Sequence, residues 1–273
     1  MVNRAAPAGS MRYFALLYTP AELRDAVTAL YVIDAEIRES AQSPNHDVAH
    51  TRLQWWRQEI DRLINNNSQH PAARILQTHA QLDRKHLARL HELIVAADMD
   101  LARMTYLNER ELRAYCSRSG GVVQELIAAL PGSHGDEEAT RAFANRLGAG
   151  IRKAEILRDL RQDAYAGRMY LPLDELEKAQ LKLEDLRAKE ISPALRQLLQ
   201  TFGTSAEADL SLDTSEPGLA PKAHLRPLFV LAALHKQLVK RIGRSNYDVA
   251  SHRVELGPIE KPWIAWRAAR KAR

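Results

Sequence analysis

Three acidic residues, Glu155, Asp159 and Asp163, are spaced four apart in a segment whose composition is typical of a helix. On a period of 3.6 residues per turn, their carboxylates lie on one helical face. Like charges at this spacing destabilise a helix by roughly 0.2–0.5 kcal/mol per pair, so the stripe needs a cationic partner. Mg²⁺ takes one or two carboxylates together with phosphate oxygens, and would make this stripe a diphosphate-binding site.

Nearby arginines offer a second interpretation of the same stripe. Four of them are close enough in sequence to neutralise the acids as an ordinary solvated network: Arg152, Arg158, Arg161 and Arg168. Spacing alone favours this second interpretation.

The composition is that of a globular protein rather than a disordered one. Of 273 residues, 45% are hydrophobic and 27% are charged, and we expect one domain spanning 1–273. The single cysteine, Cys116, excludes an internal disulfide and is predicted to be a buried small hydrophobe. No apolar run of about 18 residues is present, and the first residues lack the apolar core of a signal peptide. We therefore expect a cytoplasmic location.

The two ends of the chain differ in character. Residues 1–18 are expected to be a loose segment, whereas 258–273 form a predicted basic C-terminal helix that carries Trp263 and Trp266. This helix would either rest peripherally on the anionic inner face of a membrane or dock on the core with its tryptophans inward.

Helical patterns cover the chain, and no alternating strand pattern occurs, which predicts an all-α fold. Thr19 is predicted to cap a helix that runs to about Ser40, and Asn108 to cap another. Gly120 and Gly121 interrupt the middle of the latter. Glycines there cost about 1 kcal/mol each relative to alanine, so we expect a kink or a close approach at this point.

The acidic stripe continues into a specific motif. Residues 157–164, followed by 167–172 with the sequence GRMYLP, closely resemble the second aspartate-rich motif of squalene and phytoene synthases. Further segments resemble this family in the same order along the chain: Tyr13-Phe14, Tyr31, 52–57, His70-Pro71, 98–101, Tyr115-Cys116 with Gly121, and 244–248. The resemblance implies a single-domain helical bundle of the isoprenoid synthase type with a central cavity.

The resemblance also implies an activity. In this family two aspartate-rich motifs face each other and hold Mg²⁺, or Mn²⁺, on the diphosphates of two prenyl substrates. Ionisation and condensation through a cyclopropyl diphosphate give a C30 or C40 product, and NADPH is needed only when squalene is the end point. The implied function is a prenyltransferase that uses farnesyl or geranylgeranyl diphosphate, and no nucleic acid is expected among its partners.

By position in the motif, Asp159 and Asp163 would be catalytic residues and metal ligands. Arg158 and Arg168 would contact diphosphate, and Tyr170 would line the cavity and take part in catalysis. The first motif is altered. Where two adjacent aspartates and a third are expected after Tyr31, this chain has Arg38, Glu39 and Gln42.

Because the first motif is altered, more than one residue on that helix is a candidate to bind metal or diphosphate opposite the second motif. Glu39 is a candidate metal ligand there, together with Glu36 or Asp34, while Arg38 is a candidate diphosphate contact that would also compete for the metal position. On the stripe, Arg152 and Glu155 stand where the family commonly has glutamine and asparagine, so an ion pair of Arg152 with Glu155 or Asp159 would replace one metal.

Three functions fit these residues. The first is an active prenyltransferase. The second is a non-catalytic member similar to the phytoene-synthase-like assembly factors of respiratory complex I, and the third is a lipid-binding helical module. The arrangement of Arg38 distinguishes them, because a salt bridge from Arg38 across the site would occupy the place of the first-motif metal.

Overall fold

A computed structural model describes residues 2–131, 136–213 and 218–272, and these residues form helices joined by turns and loops. No β-strand occurs in these three ranges, and the predicted all-α class is confirmed. Residue 273, the predicted end of the C-terminal helix, lies outside the described residues.

The helices are labelled in chain order. They are α1 (Val2–Ala5), α2 (Met11–Leu17), α3 (Arg24–Ala41), α4 (His46–Ile64), α5 (Pro71–Ile75), α6 (Arg84–Ala88), α7 (His91–Leu101), α8 (Glu109–Cys116), α9 (Val122–Ala128), α10 (Glu137–Tyr165), α11 (Leu173–Lys178), α12 (Leu183–Arg187), α13 (Pro193–Asp209), α14 (Arg226–Arg244) and α15 (Glu260–Lys271).

Of the two helix caps predicted from the sequence, the structure contains one. The Asn108 side chain accepts a hydrogen bond from the backbone N–H of Glu111, as expected for an N-cap. The predicted cap at Thr19 is wrong. Its hydroxyl instead donates to the carbonyl of Ala15 at 2.9 Å, at the end of α2, and a short 3₁₀ turn over Ala21–Leu23 precedes α3.

Helix α10 is the centre of the bundle. It is 29 residues long and packs against α9, α13 and α14, with buried residues along most of its length. The hydrophobic core is continuous from Ala5 in α1 to Ala272 after α15. The acidic stripe therefore lies on a helix that is surrounded by other helices rather than on a surface helix.

The predicted interruption at Gly120 and Gly121 is both a change in helical pitch and a close approach. Residues Ser117–Gly121 form a π-helical turn between α8 and α9. A Cβ added at Gly120 would lie 2.3 Å from the carbonyl oxygen of Gly148 in α10, and a Cβ at Gly148 would lie 2.3 Å from the carbonyl oxygen of Gly120. Only glycine permits this backbone-to-backbone contact, which brings the π turn against α10.

The N-terminal segment that we expected to be loose contains α1 and α2. Phe14, Ala15 and Leu16 are buried, and α2 packs on α14. The Arg12 side chain donates a hydrogen bond to the Asp34 carboxylate of α3. Residues 11–17 are thus attached to the core by both apolar and ionic contacts.

The C-terminal helix presents its tryptophans to solvent. Its buried face consists of Ala265, Ala268 and Ala269, whereas Trp263 is 57% exposed and Trp266 is 41% exposed. The expectation of inward tryptophans is wrong, because small alanines form the face that packs against α14. Throughout the described ranges, no helix is long and apolar enough to cross a membrane.

We predict that Gly148→Ala lowers the free energy of unfolding by about 1–3 kcal/mol, because the new methyl group overpacks the contact with Gly120. Chemical denaturation measures this change. The matched control is Gly243→Ala in α14, whose Cβ would meet its nearest neighbour at an ordinary 3.5 Å. Equal destabilisation by both substitutions would contradict the close-contact explanation.

Candidate functional site

The candidate site begins with a buried carboxylate on α3. Asp34 is 1% exposed and accepts a hydrogen bond from Nε of Arg38 at 2.8 Å, as well as one from Arg12. Two guanidinium groups, one from α2 and one from its own helix, thus neutralise this acid. Asp34 is the nearest acid to the first motif that lies fully inside the protein.

Arg38 connects three parts of the fold. While its Nε binds Asp34, its Nη1 lies 3.4 Å from Oε2 of Glu155 on α10. Its Nη2 donates to the backbone carbonyl of Ser119 in the π turn. The guanidinium group therefore bridges the helix of the first motif and the helix of the second.

The bridge keeps both carboxyl groups ionised. Burial alone would raise the pKa of Asp34, but Arg38 and Arg12 outweigh burial and hold that pKa below its usual value. Burial also acts to raise the pKa of Glu155, and the neighbouring guanidinium groups of Arg38 and Arg152 lower it strongly instead. Near neutral pH, the bridge consists of fixed, opposite charges.

A cluster of tyrosines holds Arg152 in place. The Tyr115 hydroxyl accepts from Nη2 of Arg152 at 2.7 Å and donates to Oδ1 of Asp100 at 2.8 Å. Tyr170, which is almost fully buried, donates to the same oxygen at 2.7 Å. The structure places Tyr170 in this cluster, where it joins the loop after α10 to the end of α7.

The second motif is assembled at the C-terminal end of α10. Asp159 accepts from Nε of Arg158 at 2.9 Å and from Nε of Arg253 at 2.7 Å. Asp163 lies 3.9 Å from Nη1 of Arg168, and burial raises its pKa to about 6. The structure therefore pairs Asp159 with Arg158 and Asp163 with Arg168, and it adds Arg253 to the first pair.

The remaining predicted metal ligands, Glu36 and Glu39, pair with other side chains. Oε1 of Glu39 pairs with Arg4 at 2.8 Å, and Oε2 of Glu36 lies 3.2 Å from Nε2 of His70. Among the residues described, no three His, Cys, Asp or Glu side chains lie close enough to hold a metal ion. The four predicted ligands are therefore not assembled in the described part of the chain, and Arg38 lies between Asp34 and Glu155. This arrangement does not fit a divalent cation shared by α3 and α10.

Sequence patterns did not indicate Arg12 or Arg253 as site residues. Arg12 lies in the segment expected to be loose, and Arg253 lies 94 residues beyond its partner Asp159. The prediction for Cys116 is confirmed, since its side chain is completely buried and burial raises the pKa of the thiol to about 12.

We predict that Asp34→Asn lowers the free energy of unfolding at pH 7 by about 3 kcal/mol, because Arg12 and Arg38 lose a buried counter-charge. The folded state depresses the pKa of Asp34, so its ionised form stabilises the protein above the usual aspartate range and this contribution is lost as pH falls. The difference between wild type and variant should shrink in urea titrations at acidic pH. A difference that is constant with pH would contradict this role, and the exposed Asp61→Asn serves as the control.

Comparison with known sequences identifies the family of this chain. The family model described as squalene/phytoene synthase matches residues 5–260. The chain is 27% identical over 252 residues to phytoene synthase 2, chloroplastic, of Zea mays, covering 90% of this chain and 62% of that protein. It is 33% identical over 178 residues to the phytoene synthase of Thermus thermophilus, covering 64% of this chain and 59% of that protein. The chain thus spans about three fifths of the length of these two relatives.

A third relative and two solved structures cover more of their own length. The phytoene synthase of Mycobacterium tuberculosis is 28% identical over 263 residues, covering 93% of this chain and 84% of that protein. A dehydrosqualene synthase in complex with a ligand superposes with a TM-score of 0.83 at 16% identity, covering 95% of this chain and 90% of that one. Squalene synthase HpnC of Alicyclobacillus acidocaldarius gives 0.71 at 21% identity, with 90% and 93% covered. The fold is that of these synthases, and by its sequence the chain belongs to the squalene/phytoene synthase family.

Proposed function

We propose that this chain is a prenyltransferase that condenses two prenyl diphosphates, such as farnesyl or geranylgeranyl diphosphate, with release of diphosphate. The observation that carries the proposal is the assembly of Asp159, Asp163, Arg158 and Arg168 at one end of α10. Membership in a family of such synthases supports it.

The residues of the site fit the charge changes of this reaction. When the allylic C–O bond breaks, its electron pair leaves with the diphosphate, and negative charge builds up on the leaving group. Arg158 and Arg168 neutralise such charge through guanidinium N–H donors, which match phosphate oxygens well. Charged groups that are already oriented act most strongly where water is excluded. The aligned charges on α10 therefore favour ionisation of the substrate.

Mg²⁺ or Mn²⁺ supplies positive charge to the diphosphate in the reaction that the family resemblance implies. The present side chains do not hold such an ion between the motifs, so the proposal assigns charge neutralisation to the arginines. NADPH belongs to the proposal only if squalene is the product. The assay is therefore run with and without the divalent cation and with and without NADPH.

A second candidate function is that of a non-catalytic member that binds a prenyl diphosphate or another lipid without turning it over. The Arg38 bridge favours this candidate, because it joins Asp34 to Glu155 where the first metal-binding motif is expected. A fixed bridge between the motif helices would restrict the space for two substrates.

We predict that the purified chain converts labelled farnesyl or geranylgeranyl diphosphate to a C30 or C40 product and releases diphosphate. Asp159→Asn should lower the rate about hundredfold, because it removes a charge that orients Arg158 and Arg253. Product chromatography and diphosphate release measure both quantities, with and without Mg²⁺ and with and without NADPH. The control variant is Asp61→Asn, far along the chain and exposed.

The assay separates the two candidates. If ligand binds but no diphosphate is released in any arm, the prenyltransferase proposal fails and the non-catalytic one stands. If Asp159→Asn turns over as fast as wild type, the site on α10 is not where the chemistry occurs.

We also propose that α15 makes peripheral contact with an anionic membrane. Ile259, Trp263 and Trp266 are exposed, at spacings of four and three residues, and the tryptophan rings stack at 5.0 Å. Arg267 and Arg270 lie on the same helix in solvent. Tryptophan rings favour the interfacial layer of a bilayer, and nearby basic residues attract anionic lipid headgroups by about 1 kcal/mol each.

We predict that the chain sediments with vesicles containing phosphatidylserine and that Trp263→Ser combined with Trp266→Ser reduces the bound fraction at least fivefold, since most of the exposed apolar area is lost. Trp55→Ser, at a half-exposed tryptophan on α4, is the matched control. Unchanged binding of the double variant would rule out α15 as the contact.

A further inference from the structure

A cavity beside Arg38 is lined by the N-terminal segment, α3, the π turn, α9, α10 and α14. It encloses about 670 Å³, counting the space at its mouth. Part of its wall is apolar, and the residues that form this part include Met11, Val123, Ile151 and Leu231. The charged residues that line it are Arg12, Arg38, Arg158 and Glu155.

Guanidinium groups predominate among the charged side chains that line the cavity. Three guanidinium groups and one carboxylate line it, and His235, which also lines it, adds no charge. Nδ1 of His235 lies 2.8 Å from the carbonyl of Leu231, and burial lowers the pKa of the imidazole to about 4. Each of the three guanidinium groups is paired with a carboxylate, since Arg12 and Arg38 bind Asp34, Arg38 also lies near Glu155, and Arg158 binds Asp159. The cavity therefore offers an anionic ligand guanidinium groups that are already oriented.

The arginines keep hydrogen-bonding capacity beyond their contacts with protein. Each guanidinium group has five N–H donors. In the described residues, Arg12 directs two of them to Asp34 and Tyr31, and Arg158 directs two to Asp159. Arg38 uses three. The remaining donors match the several oxygens of a diphosphate, and the guanidinium groups are already oriented by their carboxylate partners.

A divalent cation would have to displace these arginines. Asp34 is a fully buried carboxylate behind the lining residues Arg12 and Arg38, and both of its oxygens are bonded to their guanidinium nitrogens. Removing one of them would leave a buried charge without its partner, which is strongly unfavourable. The protein's own cations thus stand where the family resemblance places a metal ion.

We infer that this cavity binds the diphosphate of an apolar-tailed ligand directly on Arg12, Arg38 and Arg158, without a divalent cation. The inference rests on the proposed function, since it describes how the same site holds a prenyl diphosphate. It also assigns a role to Arg12, the charged residue that the N-terminal segment contributes to the cavity lining. The apolar wall beside the arginines takes the beginning of the hydrocarbon chain.

Isothermal titration calorimetry tests the inference with two probes, inorganic pyrophosphate and farnesyl diphosphate, each in EDTA and in Mg²⁺. The free pyrophosphate concentration is corrected for its complex with Mg²⁺. We expect the Kd of each probe in EDTA to lie within about threefold of its value in Mg²⁺. Arg12→Gln should weaken binding at least tenfold in both conditions, which corresponds to about 1.4 kcal/mol.

The matched control is Arg241→Gln, which removes the same charge from a half-exposed arginine that pairs with Glu260. It should bind both probes as wild type does. If Arg12→Gln does not fold by circular dichroism, Arg158→Gln replaces it, with the same expected loss. Binding that requires Mg²⁺, or that survives the loss of Arg12 or Arg158, would overturn the inference.

The outcomes also separate this inference from the proposed function. Turnover that depends on Mg²⁺, with no binding in EDTA, would leave the prenyltransferase proposal standing and the inference overturned. Tight binding in EDTA without turnover in any arm would support the inference and contradict prenyl transfer. No binding of either probe in either condition would contradict both.

Discussion

The site depends on the two ion pairs of Arg38. Its guanidinium group lies between Asp34 on α3 and Glu155 on α10. Both carboxyl groups are partly or fully inside the protein, where an unpaired charge is strongly unfavourable. Arg12 and Arg152 complete the charge balance from either side. This network sets the relative position of the two motif helices with the protein's own side chains.

The fold brings the π turn and α10 close enough together for this network to form. Gly120 and Gly148 let the π turn approach α10 backbone to backbone, and the carbonyl of Ser119 in that turn accepts from Arg38. On the far side, Tyr115 orients Arg152 through its hydroxyl group. A small change in any of these contacts would move a charged group away from its partner, so the packing of the core and the charges of the site depend on each other.

Sequence patterns predicted the helical fold and the second motif, because both are local. Asp159, Asp163, Arg158 and Arg168 lie within ten residues of one another, and helical spacing together with a family motif indicates them. Arg12 was not predictable, since its partner Asp34 lies 22 residues away and an isolated arginine carries no motif. The replacement of the first motif was visible in the sequence. Its consequence, a bridge from Arg38 to Asp34 and Glu155, became visible only from the contacts in the structure. The buried face of α15 was not predictable either. It is set by packing against α14, and the basic, tryptophan-bearing sequence of α15 does not reveal that packing.

The most direct test of the account is a crystal structure grown with Mg²⁺ and inorganic pyrophosphate at the pH of the binding assay. The account predicts that Arg38 stays between Asp34 and Glu155 and that pyrophosphate oxygens lie within hydrogen-bond distance of Arg12 and Arg158. A structure in which Arg38 has left this position, with Mg²⁺ bound between the carboxylates of α3 and α10, would contradict it.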